Sequence, residues 1–280
     1  MIRPAAGVRE ACDGARAAGR SVGLVPTMGA FHGGHTSLLQ RAREERDTVV
    51  VSLFVNPLQF GPQEDLASYP RDETGDLATA EGLGVDLVFA PSLEEMYPGG
   101  APEVTVDPGP LGERLEGASR PGHLRGVATV VARLFNLIGP CRAYFGEKDA
   151  QQLAVIRRMA RDLAFPVEVA ACPTVREPDG LALSSRNAYL SLEERDAAGC
   201  LFLALTEAAE LAKSGERDAA DLVAAMAREI GATRLVRLDY AAVVDEETFE
   251  EVREVLRPAR ALVAARIGST RLIDNLLLPT

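Results

Sequence analysis

The strongest constraint on the fold is an alternation of strand-like and helix-like patterns that runs from residue 22 to residue 171. The run at 48–55 is continuously apolar and rich in β-branched residues, which is typical of a strand buried on both faces. Shorter runs of the same kind lie at 22–25, 86–90, 143–145 and 167–171. This alternation predicts an α/β fold, a Rossmann-like doubly wound parallel sheet covered by helices.

Helical patterns lie between these runs, and several begin with residues that favour a helix N-terminus. Residues 72–81 open with acidic side chains, which suit the positive end of a helix. Ser191 and Glu194 form a capping box, which predicts that a long alanine-rich helix begins there. The predicted helices comprise residues 5–18, 36–46, 72–81, 127–137, 150–163, the long helix after 191, and 218–230.

The pattern changes near Pro173, and this change predicts a second domain. A polar loop at 176–180 is followed by the last two predicted helices and then by strands at 235–244, 262–265 and 272–275. Helices and strands that are segregated along the chain are typical of an α+β unit. We predict a Rossmann-like domain over residues 1–172 and a smaller C-terminal α+β lid domain over residues 173–280.

Composition and charge narrow the class of protein. The chain has 280 residues, 47% of them hydrophobic and 25% charged, which is ordinary for a globular protein. Its net charge of −11 argues against a nucleic-acid-binding surface, and no apolar stretch is long enough for a membrane span. The four cysteines are too scattered for a disulfide framework or a zinc site. We therefore expect a cytoplasmic protein that binds neither nucleic acid nor a membrane.

The segment between the first predicted strand and the next helix is the most informative for function. Residues 26–35 read Pro-Thr-Met-Gly-Ala-Phe-His-Gly-Gly-His and contain two of the chain's three histidines, His32 and His35. Glycines let backbone N–H groups approach phosphates, and a helix N-terminus adds positive potential. Doubly wound proteins bind nucleotides at such strand-to-helix turns. A tight turn with two solvated histidines is the alternative, but the strand–glycine–helix context favours a phosphate site.

Two further strand ends carry polar side chains at the same predicted edge of the sheet. The string Phe-Val-Asn-Pro-Leu-Gln-Phe at 54–60 places Gln59, which can donate and accept hydrogen bonds, after the second strand. The string Gly-Glu-Lys-Asp-Ala-Gln-Gln at 146–152 places Lys148 near a helix start, and Gln152 would share its helix face. Each string by itself also fits a surface turn, yet three such turns at one edge predict a ligand site.

Three loops are less specific. The string Leu-Ala-Leu-Ser-Ser-Arg-Asn at 181–187 would suit a mobile anion clamp, although by itself it is more typical of an ordinary capped loop. His123, in the string Arg-Pro-Gly-His-Leu-Arg-Gly at 120–126, is as consistent with a structural histidine as with a functional one. Residues 64–71 are predicted to form a loop over the cleft, with surface carboxylates rather than metal ligands.

Together these strings resemble the pantoate–β-alanine ligase, or pantothenate synthetase, family. The motifs Pro-Thr-Met-Gly with His-x-Gly-His, Phe-Val-Asn-Pro-x-Gln-Phe, Gly-Glu-Lys-Asp-x-Gln-Gln and Leu-Ser-Ser-Arg-Asn occur in the family's order between residues 21 and 187. Residues 272–275 fit the family's C-terminal strand. The wider superfamily is that of the HIGH-type nucleotidyltransferases, and residues 183–186 stand in place of its Lys-Met-Ser-Lys-Ser loop. Phe31 replaces the leucine that is common before the first histidine.

The resemblance implies a two-step reaction on small molecules. The carboxylate of (R)-pantoate attacks the α-phosphorus of ATP to form pantoyl adenylate and pyrophosphate. The amine of β-alanine then attacks the activated carbonyl to form pantothenate, a precursor of coenzyme A, and AMP is released. The resemblance further implies that ATP and pantoate bind the N-terminal domain, that Mg²⁺ travels with ATP without a metal site on the protein, and that the protein is a homodimer.

The resemblance also assigns roles to residues of this chain. His35 corresponds to the family's proton donor, and His32, Lys148 and Arg186 complete the predicted catalytic set, which would stabilise charge on the phosphates. Gln59 and Gln152 are predicted to bind pantoate, and Gln59 also to approach β-alanine. The predicted ATP-binding residues are Met28, Gly29, Ala30, Phe31, His32, Gly33, Gly34, His35, Gly146, Glu147, Lys148, Asp149, Val175, Leu183, Ser184, Ser185 and Arg186.

Three other functions stay open on the sequence alone. Another adenylyl- or cytidylyltransferase of the superfamily would share the histidine turn but would not need both Gln59 and Gln152. A class I aminoacyl-tRNA synthetase is disfavoured because the chain is short and acidic, without an obvious basic face. A nucleotide-sensing module would bind ATP without turnover, for which the histidine pair and the cationic loop are more than binding requires.

Overall fold

The computed structural model describes residues 1–62 and 64–279, and its N-terminal part is built on a parallel sheet of five strands. These strands are β1 (Val22–Thr27), β2 (Thr48–Leu53), β3 (Leu87–Phe89), β4 (Cys141–Gly146) and β5 (Val167–Cys172). Their order is β3-β2-β1-β4-β5, and every neighbouring pair is parallel. The order reverses between β1 and β4, so the ligand crevice of such a sheet is expected beyond Thr27 and Gly146. The predicted doubly wound α/β fold is confirmed.

Seven α-helices accompany this sheet within the described residues. They are α1 (Ala5–Ala17), α2 (Gly33–Glu45), α3 (Glu73–Gly82), α4 (Leu93–Met96), α5 (Glu116–Ser119), α6 (His123–Ile138) and α7 (Ala150–Asp162). Short 3-10 turns lie at Pro57–Gln59, Gly109–Gly112 and Glu147–Asp149. The edge strand β3 is also covered by the N-terminus, because Ile2 pairs with Phe89 in an isolated parallel bridge.

Apolar side chains fill both faces of the sheet. Leu24 and Val50 pack in one cluster with residues of α1, α6 and α7, whereas Val25, Val49 and Val51 pack in another with residues of α2 and α3. All five of these strand residues are fully buried. The double burial explains why the β2 run reads as continuously apolar rather than alternating.

Two helices begin earlier than their sequence patterns predict. The apolar pattern predicted α2 from residue 36 and α6 from residue 127, but the helices start at Gly33 and His123. In α2 the His32 side chain caps the helix by accepting a hydrogen bond from the Gly34 N–H, so two glycines are held in the first turn. In α6 Gly122, at φ 85°, lets the chain enter the helix from a left-handed conformation. His35 and His123 therefore lie inside helices rather than in the preceding loops.

The C-terminal part is a small α+β unit. It contains helices α8 (Leu192–Ala198), α9 (Cys200–Lys213) and α10 (Ala219–Ala232), followed by β6 (Val236–Asp245), β7 (Ala259–Ile267) and β8 (Thr270–Leu278). The three strands form an antiparallel sheet in the order β6-β7-β8. Small side chains such as Ala204, Ala208 and Ala261 are fully buried in its core, which allows α9 to approach the sheet closely.

The predicted long alanine-rich helix is two helices. The capping box of Ser191 and Glu194 is present at the start of α8, as the sequence predicts. The prediction of one continuous helix is wrong because the hydrogen-bond pattern changes at Gly199, whose N–H donates to the Asp196 carbonyl three residues back. Glycine is the weakest helix former after proline, so the break at this position is physically reasonable.

The chain divides into two compact units. One comprises Met1–Glu147 and Gln151–Pro173, and the other comprises Lys148–Ala150 together with the chain from Thr174 onward. The Asn275 side chain of the second unit donates to the Lys148 carbonyl at 2.8 Å. The proposed boundary at 172–173 and the lid role of the C-terminal domain stay predictions. None of the helices in the described parts of the chain combines the length and apolarity that crossing a bilayer requires.

Candidate active site

The turn after β1 is held in an unusual backbone conformation. Gly29 and Ala30 both have positive φ, at 83° and 52°. Thr27 anchors the turn, because its hydroxyl donates to the Ser52 carbonyl at 2.7 Å and accepts from the Gly29 N–H at 3.2 Å. A positive φ is costly for a residue with a side chain, so Ala30 must be held in place by its surroundings.

The group that holds the turn is the carboxylate of Asp76, which lies on α3 and is 3% exposed. It accepts the Ala30 N–H at 2.8 Å and the Phe31 N–H at 2.7 Å. A Cβ on Gly29 would lie 2.8 Å from the same carboxylate, so glycine is required there. Asp76 is a functional residue that the sequence motifs do not include. The available signal was its position four residues before the buried Ala80, on the face of α3 that packs inward.

His32 and His35 lie directly after this turn and contact one another. Their ring centroids are 4.2 Å apart, and His35 also lies 5.5 Å from the ring of Phe31. The His32 ring folds over Gly34, where a Cβ would come within 2.8 Å of the imidazole. The two histidines and the glycines between them therefore form one packed unit at the N-terminus of α2.

Hydrogen bonds fix which ring nitrogen of each histidine carries the proton. His32 Nδ1 accepts from the Gly34 N–H at 3.1 Å, and His35 Nδ1 accepts from the His32 N–H at 3.4 Å. A nitrogen that accepts a hydrogen bond carries no proton, so each neutral ring carries its proton on Nε2. Both Nε2–H groups are then hydrogen-bond donors, the form that can stabilise negative charge on a phosphate oxygen.

Gln59 lies in the 3-10 turn after β2 and is 8% exposed. Its side-chain NH₂ donates to the sulfur of Met28 at 3.1 Å, and its Oε1 accepts from Asn56 at 3.1 Å. Asn56 is itself held by a donor bond to the Gly126 carbonyl and by the Tyr97 hydroxyl, which donates to it at 2.8 Å. A thioether is a weak acceptor, so the amide of Gln59 retains the capacity to donate to a ligand oxygen. The structure thus brings two of the predicted site residues, Met28 and Gln59, together.

The two neighbouring glutamines at the start of α7 differ in their surroundings. Gln151 is buried, and its amide is satisfied by the backbone of Leu111, Arg114 and Glu116. Gln152, the predicted ligand residue, is only partly buried. Lys148 lies in the 3-10 turn Glu147–Asp149 that directly precedes α7, and the predicted shared face of Lys148 and Gln152 stays a prediction.

In the C-terminal unit, the predicted loop residues lie on a β-like turn. Arg176 and Ala182 form an antiparallel bridge, and the Leu183 N–H donates to the Val175 carbonyl at 2.9 Å. Val175 and Leu183, both predicted to bind ATP, are therefore neighbours although eight positions apart. Arg176 fixes this turn to β8 through a two-pronged ion pair with the buried carboxylate of Asp274.

The serines and the arginine after this turn begin a 3-10 helix, Ser185–Tyr189. The Ser184 hydroxyl caps it by accepting the Arg186 N–H at 3.3 Å. The Asn187 side chain donates to the Ala182 carbonyl at 3.1 Å, which closes the loop on itself. The Lys148 ammonium lies 3.7 Å from the Asp149 carboxylate, a separation at which it interacts without a close hydrogen bond.

His123 occupies a structural position beside Gln59. Its Nδ1 lies 2.8 Å from the Gln59 carbonyl oxygen, and its Nε2 lies 3.0 Å from the Arg120 guanidinium. Arg120 in turn makes a two-pronged ion pair with Glu64, at 2.9 and 2.6 Å. Arg125, the other cation of this string, forms a solvent-exposed pair with Asp107.

Acidification is expected to destabilise the protein between pH 6.5 and about 4 because of His123. Burial, followed by the nearby Arg120, lowers the pKa of His123 from 6.5 to about 4, against smaller opposing effects of the hydrogen bond to the Gln59 carbonyl and of Glu116 and Glu64. Below pH 6.5 the His123 side chain is protonated in the unfolded chain, whereas in the folded protein it stays neutral down to about pH 4. The free energy of unfolding is therefore at its full value above pH 6.5 and falls as the pH drops. A shift of this size corresponds to about 3–4 kcal/mol of stability.

The measurement is urea unfolding of the wild type and of His123→Leu between pH 4 and 7. The wild type should lose stability more steeply with acidification than the variant does. Equal slopes for the two proteins would show that His123 is not the group responsible.

No three His, Cys, Asp or Glu side chains within residues 1–62 and 64–279 are grouped so that they could hold a metal ion together. The cysteines are free thiols, with Cys12, Cys172 and Cys200 buried. Burial raises the pKa of Cys12 to about 11, so this thiol is a packing group rather than a nucleophile.

Comparison with known proteins agrees with the motifs. A family model described as pantoate-beta-alanine ligase matches residues 1–277. A pantothenate synthetase from Rubrobacter xylanophilus is 58% identical over 286 residues, covering 100% of this chain and 98% of that protein. One from Moorella thermoacetica is 52% identical over 279 residues, covering 99% and 98%.

Solved structures agree as well. The crystal structure of pantothenate synthetase from Thermus thermophilus superposes with a TM-score of 0.92 at 52% identity, covering 99% of both chains. A pantoate-beta-alanine ligase from Francisella tularensis, complexed with beta-gamma ATP and beta-alanine, matches with a TM-score of 0.81 at 32% identity, covering 99% of this chain and 96% of that one.

Proposed function

Because the chain belongs to the pantoate–β-alanine ligase family, we propose which of its residues carry out the family's reaction. The protein catalyses the ATP-dependent condensation of pantoate with β-alanine. A carboxylate is a poor acyl donor, so the reaction first installs AMP as a leaving group, giving pantoyl adenylate and pyrophosphate. Attack by the amine of β-alanine then yields pantothenate and AMP.

The turn between β1 and α2 is the observation that carries the assignment of the catalytic residues. We assign His35 as the proton donor and His32 as its partner in stabilising charge on the phosphates. Both histidines accept at Nδ1 and therefore present Nε2–H hydrogen-bond donors, and the N–H groups of Gly33 and Gly34 lie at the positive end of α2. To donate a proton, His35 would first take one up at Nδ1, in place of the bond from the His32 N–H, and would return to the neutral ring after the transfer. Residues 28–31 would line the nucleotide, in the conformation that Asp76 maintains.

Pantoate is assigned to the two glutamines of the N-terminal unit. Gln59 would exchange the sulfur of Met28 for an oxygen of pantoate, which is a better acceptor for its amide. Gln152 would supply a second amide, and Gln59 would also approach β-alanine. Two amides suit a ligand that carries hydroxyls as well as a carboxylate, because each amide donates and accepts.

The cationic residues of the C-terminal unit are assigned to the phosphates of ATP. Lys148 and Arg186 would hold phosphate oxygens, with the hydroxyls of Ser184 and Ser185 assisting. Val175 and Leu183, which are adjacent in the β-like turn, would contact the nucleotide. The remaining residues proposed to bind ATP are Gly146, Glu147 and Asp149.

Mg²⁺ is proposed to enter with ATP. The described residues offer no cage of three acidic, cysteine or histidine ligands, and Mg²⁺ prefers phosphate oxygens and waters in such sites. When bound, the ion neutralises charge on the phosphates; we assign it no protein ligand.

A homodimer in the cytoplasm is proposed from the resemblance to the family. The net charge of −11 supports the absence of a nucleic-acid partner. Light scattering of the purified protein measures the mass directly, and a monomer at micromolar concentration would contradict the dimer.

The experiment that tests the proposed function is ATP–pyrophosphate exchange with pantoate present and β-alanine absent. We expect exchange that depends on pantoate, because adenylate formation is reversible before the amine is added. Exchange that does not need pantoate, or none in protein shown to bind ATP, would point to another nucleotidyltransferase substrate or to binding without turnover.

A further inference from the structure

His123 contacts the backbone of the residue assigned to pantoate, and its two partners leave it only one protonation state. The Gln59 carbonyl can only accept, so Nδ1, at 2.8 Å, must carry a proton. The Arg120 guanidinium can only donate, so Nε2, at 3.0 Å, must carry none. His123 is therefore a neutral imidazole that donates to Gln59. This is the opposite tautomer from that of His32 and His35.

The start of α6 is packed tightly against the same 3-10 turn. Gly126, one helical turn after His123, approaches the Leu58 carbonyl so closely that a Cβ there would lie 2.2 Å from its oxygen. The Gly126 carbonyl accepts from Asn56, whose amide also donates to the Gln59 side chain. The first turn of α6 thus contacts the backbone of Leu58 and Gln59 and, through Asn56, the side chain of Gln59.

The position of Arg120 beside His123 is stabilised by an ion pair with Glu64, which would break if Arg120 moved away. Its two-pronged pair with Glu64 has side chains that are 16% and 25% exposed, so both charges are partly removed from water. The guanidinium also lies 3.4 Å from the Gln59 carbonyl oxygen. Glu64, Arg120 and His123 form a chain of contacts that ends on one carbonyl group.

We propose that His123 is a positioning residue for pantoate: by donating from Nδ1 to the Gln59 carbonyl, it fixes the 3-10 turn that aims the Gln59 amide at the substrate. The proposal rests on the assignment of Gln59 to pantoate under the proposed function. It gives the string at 120–126 a role that its sequence does not reveal. It also predicts that the effect of His123 is specific to pantoate, because the hydrogen bonds of its ring lead to Gln59 and Arg120 rather than to the turn at 28–35.

The test is the KM for each substrate in pantoate-dependent ATP–pyrophosphate exchange, with full-length variants. His123→Leu removes the donor and is expected to raise the KM for pantoate about tenfold, the effect of losing one well-placed hydrogen bond, while the KM for ATP changes less than about twofold. His123→Asn keeps an N–H donor at the position of Nδ1 and should restore the KM for pantoate to within about threefold of the wild type. Since KM does not depend on the fraction of folded protein, partial unfolding does not imitate this result.

Two further variants separate the possible failures. Arg125→Ala alters an exposed cation of the same helix turn that pairs with Asp107 instead of Gln59, and it should leave both KM values unchanged. Gln59→Ala should raise the KM for pantoate. If Gln59→Ala raises it and His123→Leu does not, or if His123→Leu raises both KM values equally, the positioning role is overturned while the assignment of Gln59 stands. If Gln59→Ala leaves the KM for pantoate unchanged, the assignment of Gln59 fails and the positioning role fails with it.

Discussion

Replacing His35 with alanine is expected to reduce the rate of adenylate formation by about 10²- to 10⁴-fold, the usual contribution of a positioned proton donor. The Nε2–H of His35 is the donor that is lost, together with its packing against His32 and Phe31. The fold should survive, because the capping contact that the side chain makes to α2 is worth about 1 kcal/mol. Pre-steady-state measurement of AMP or pyrophosphate formation with pantoate present gives the rate directly.

His35→Asn is the matched control for this prediction. Asparagine has a side-chain oxygen that can take over the capping bond from the His32 N–H, but it has no group at the position of Nε2. We therefore expect His35→Asn to be as inactive as the alanine variant while being more stable. Normal turnover in either folded variant would remove His35 from the catalytic set.

The second large effect is expected at Asp76. Asp76→Ala deletes the acceptor of the Ala30 and Phe31 N–H groups, which are part-buried, and leaves Ala30 at positive φ without its support. Hydrogen bonds to a charged group each contribute about 1.5–3 kcal/mol, so a loss of about 3–6 kcal/mol in the free energy of unfolding is expected for the two bonds. Because the turn is assigned to the nucleotide, the KM for ATP should rise as well. Urea unfolding and substrate titrations measure the two effects.

Asp76→Asn is an intermediate variant for this prediction, and Glu81→Ala is its control. Asparagine retains one carbonyl acceptor and should lose about half as much stability as alanine. Glu81 is an exposed acid on the same helix, so its replacement should change neither stability nor the KM for ATP. An Asp76→Ala protein with unchanged stability and KM would show that the turn keeps its conformation without the carboxylate.

Most helices and strands of the fold could be predicted from the periodic apolar patterns of the sequence. The β2 run and the helix of 150–163 were predictable because burial on one or both faces leaves a periodic record in the sequence. The starts of α2 and α6 were predicted too late, because a side-chain cap at His32 and a left-handed Gly122 extend a helix beyond its apolar pattern. The break at Gly199 was missed, since an alanine-rich sequence fits one helix or two equally well.

The sequence predicted which turns contain the site residues, but it did not predict the hydrogen bonds that those turns make with distant residues. Strings rich in glycine, histidine and amide side chains identified the turns that follow β1, β2 and β4. Asp76 was missed because its partners lie 46 and 45 residues away, and no local pattern records a bond of that kind. His123 was left undecided for the same reason, because only its distances to Gln59 and Arg120 fix its tautomer.

The three residues Lys148–Ala150, which group with the C-terminal unit, have a consequence for how the protein is made. The chain passes between the two units at 147–148, at 150–151 and at 173–174, so no single cut separates them. The side chain of Asn275 donates a hydrogen bond to the Lys148 carbonyl, and Asn275 is synthesised 127 residues after Lys148. The lysine proposed to bind ATP can therefore make this contact only after the last strand is synthesised, and we expect a nascent chain that has completed only the parallel sheet to lack the proposed ATP site in its final form.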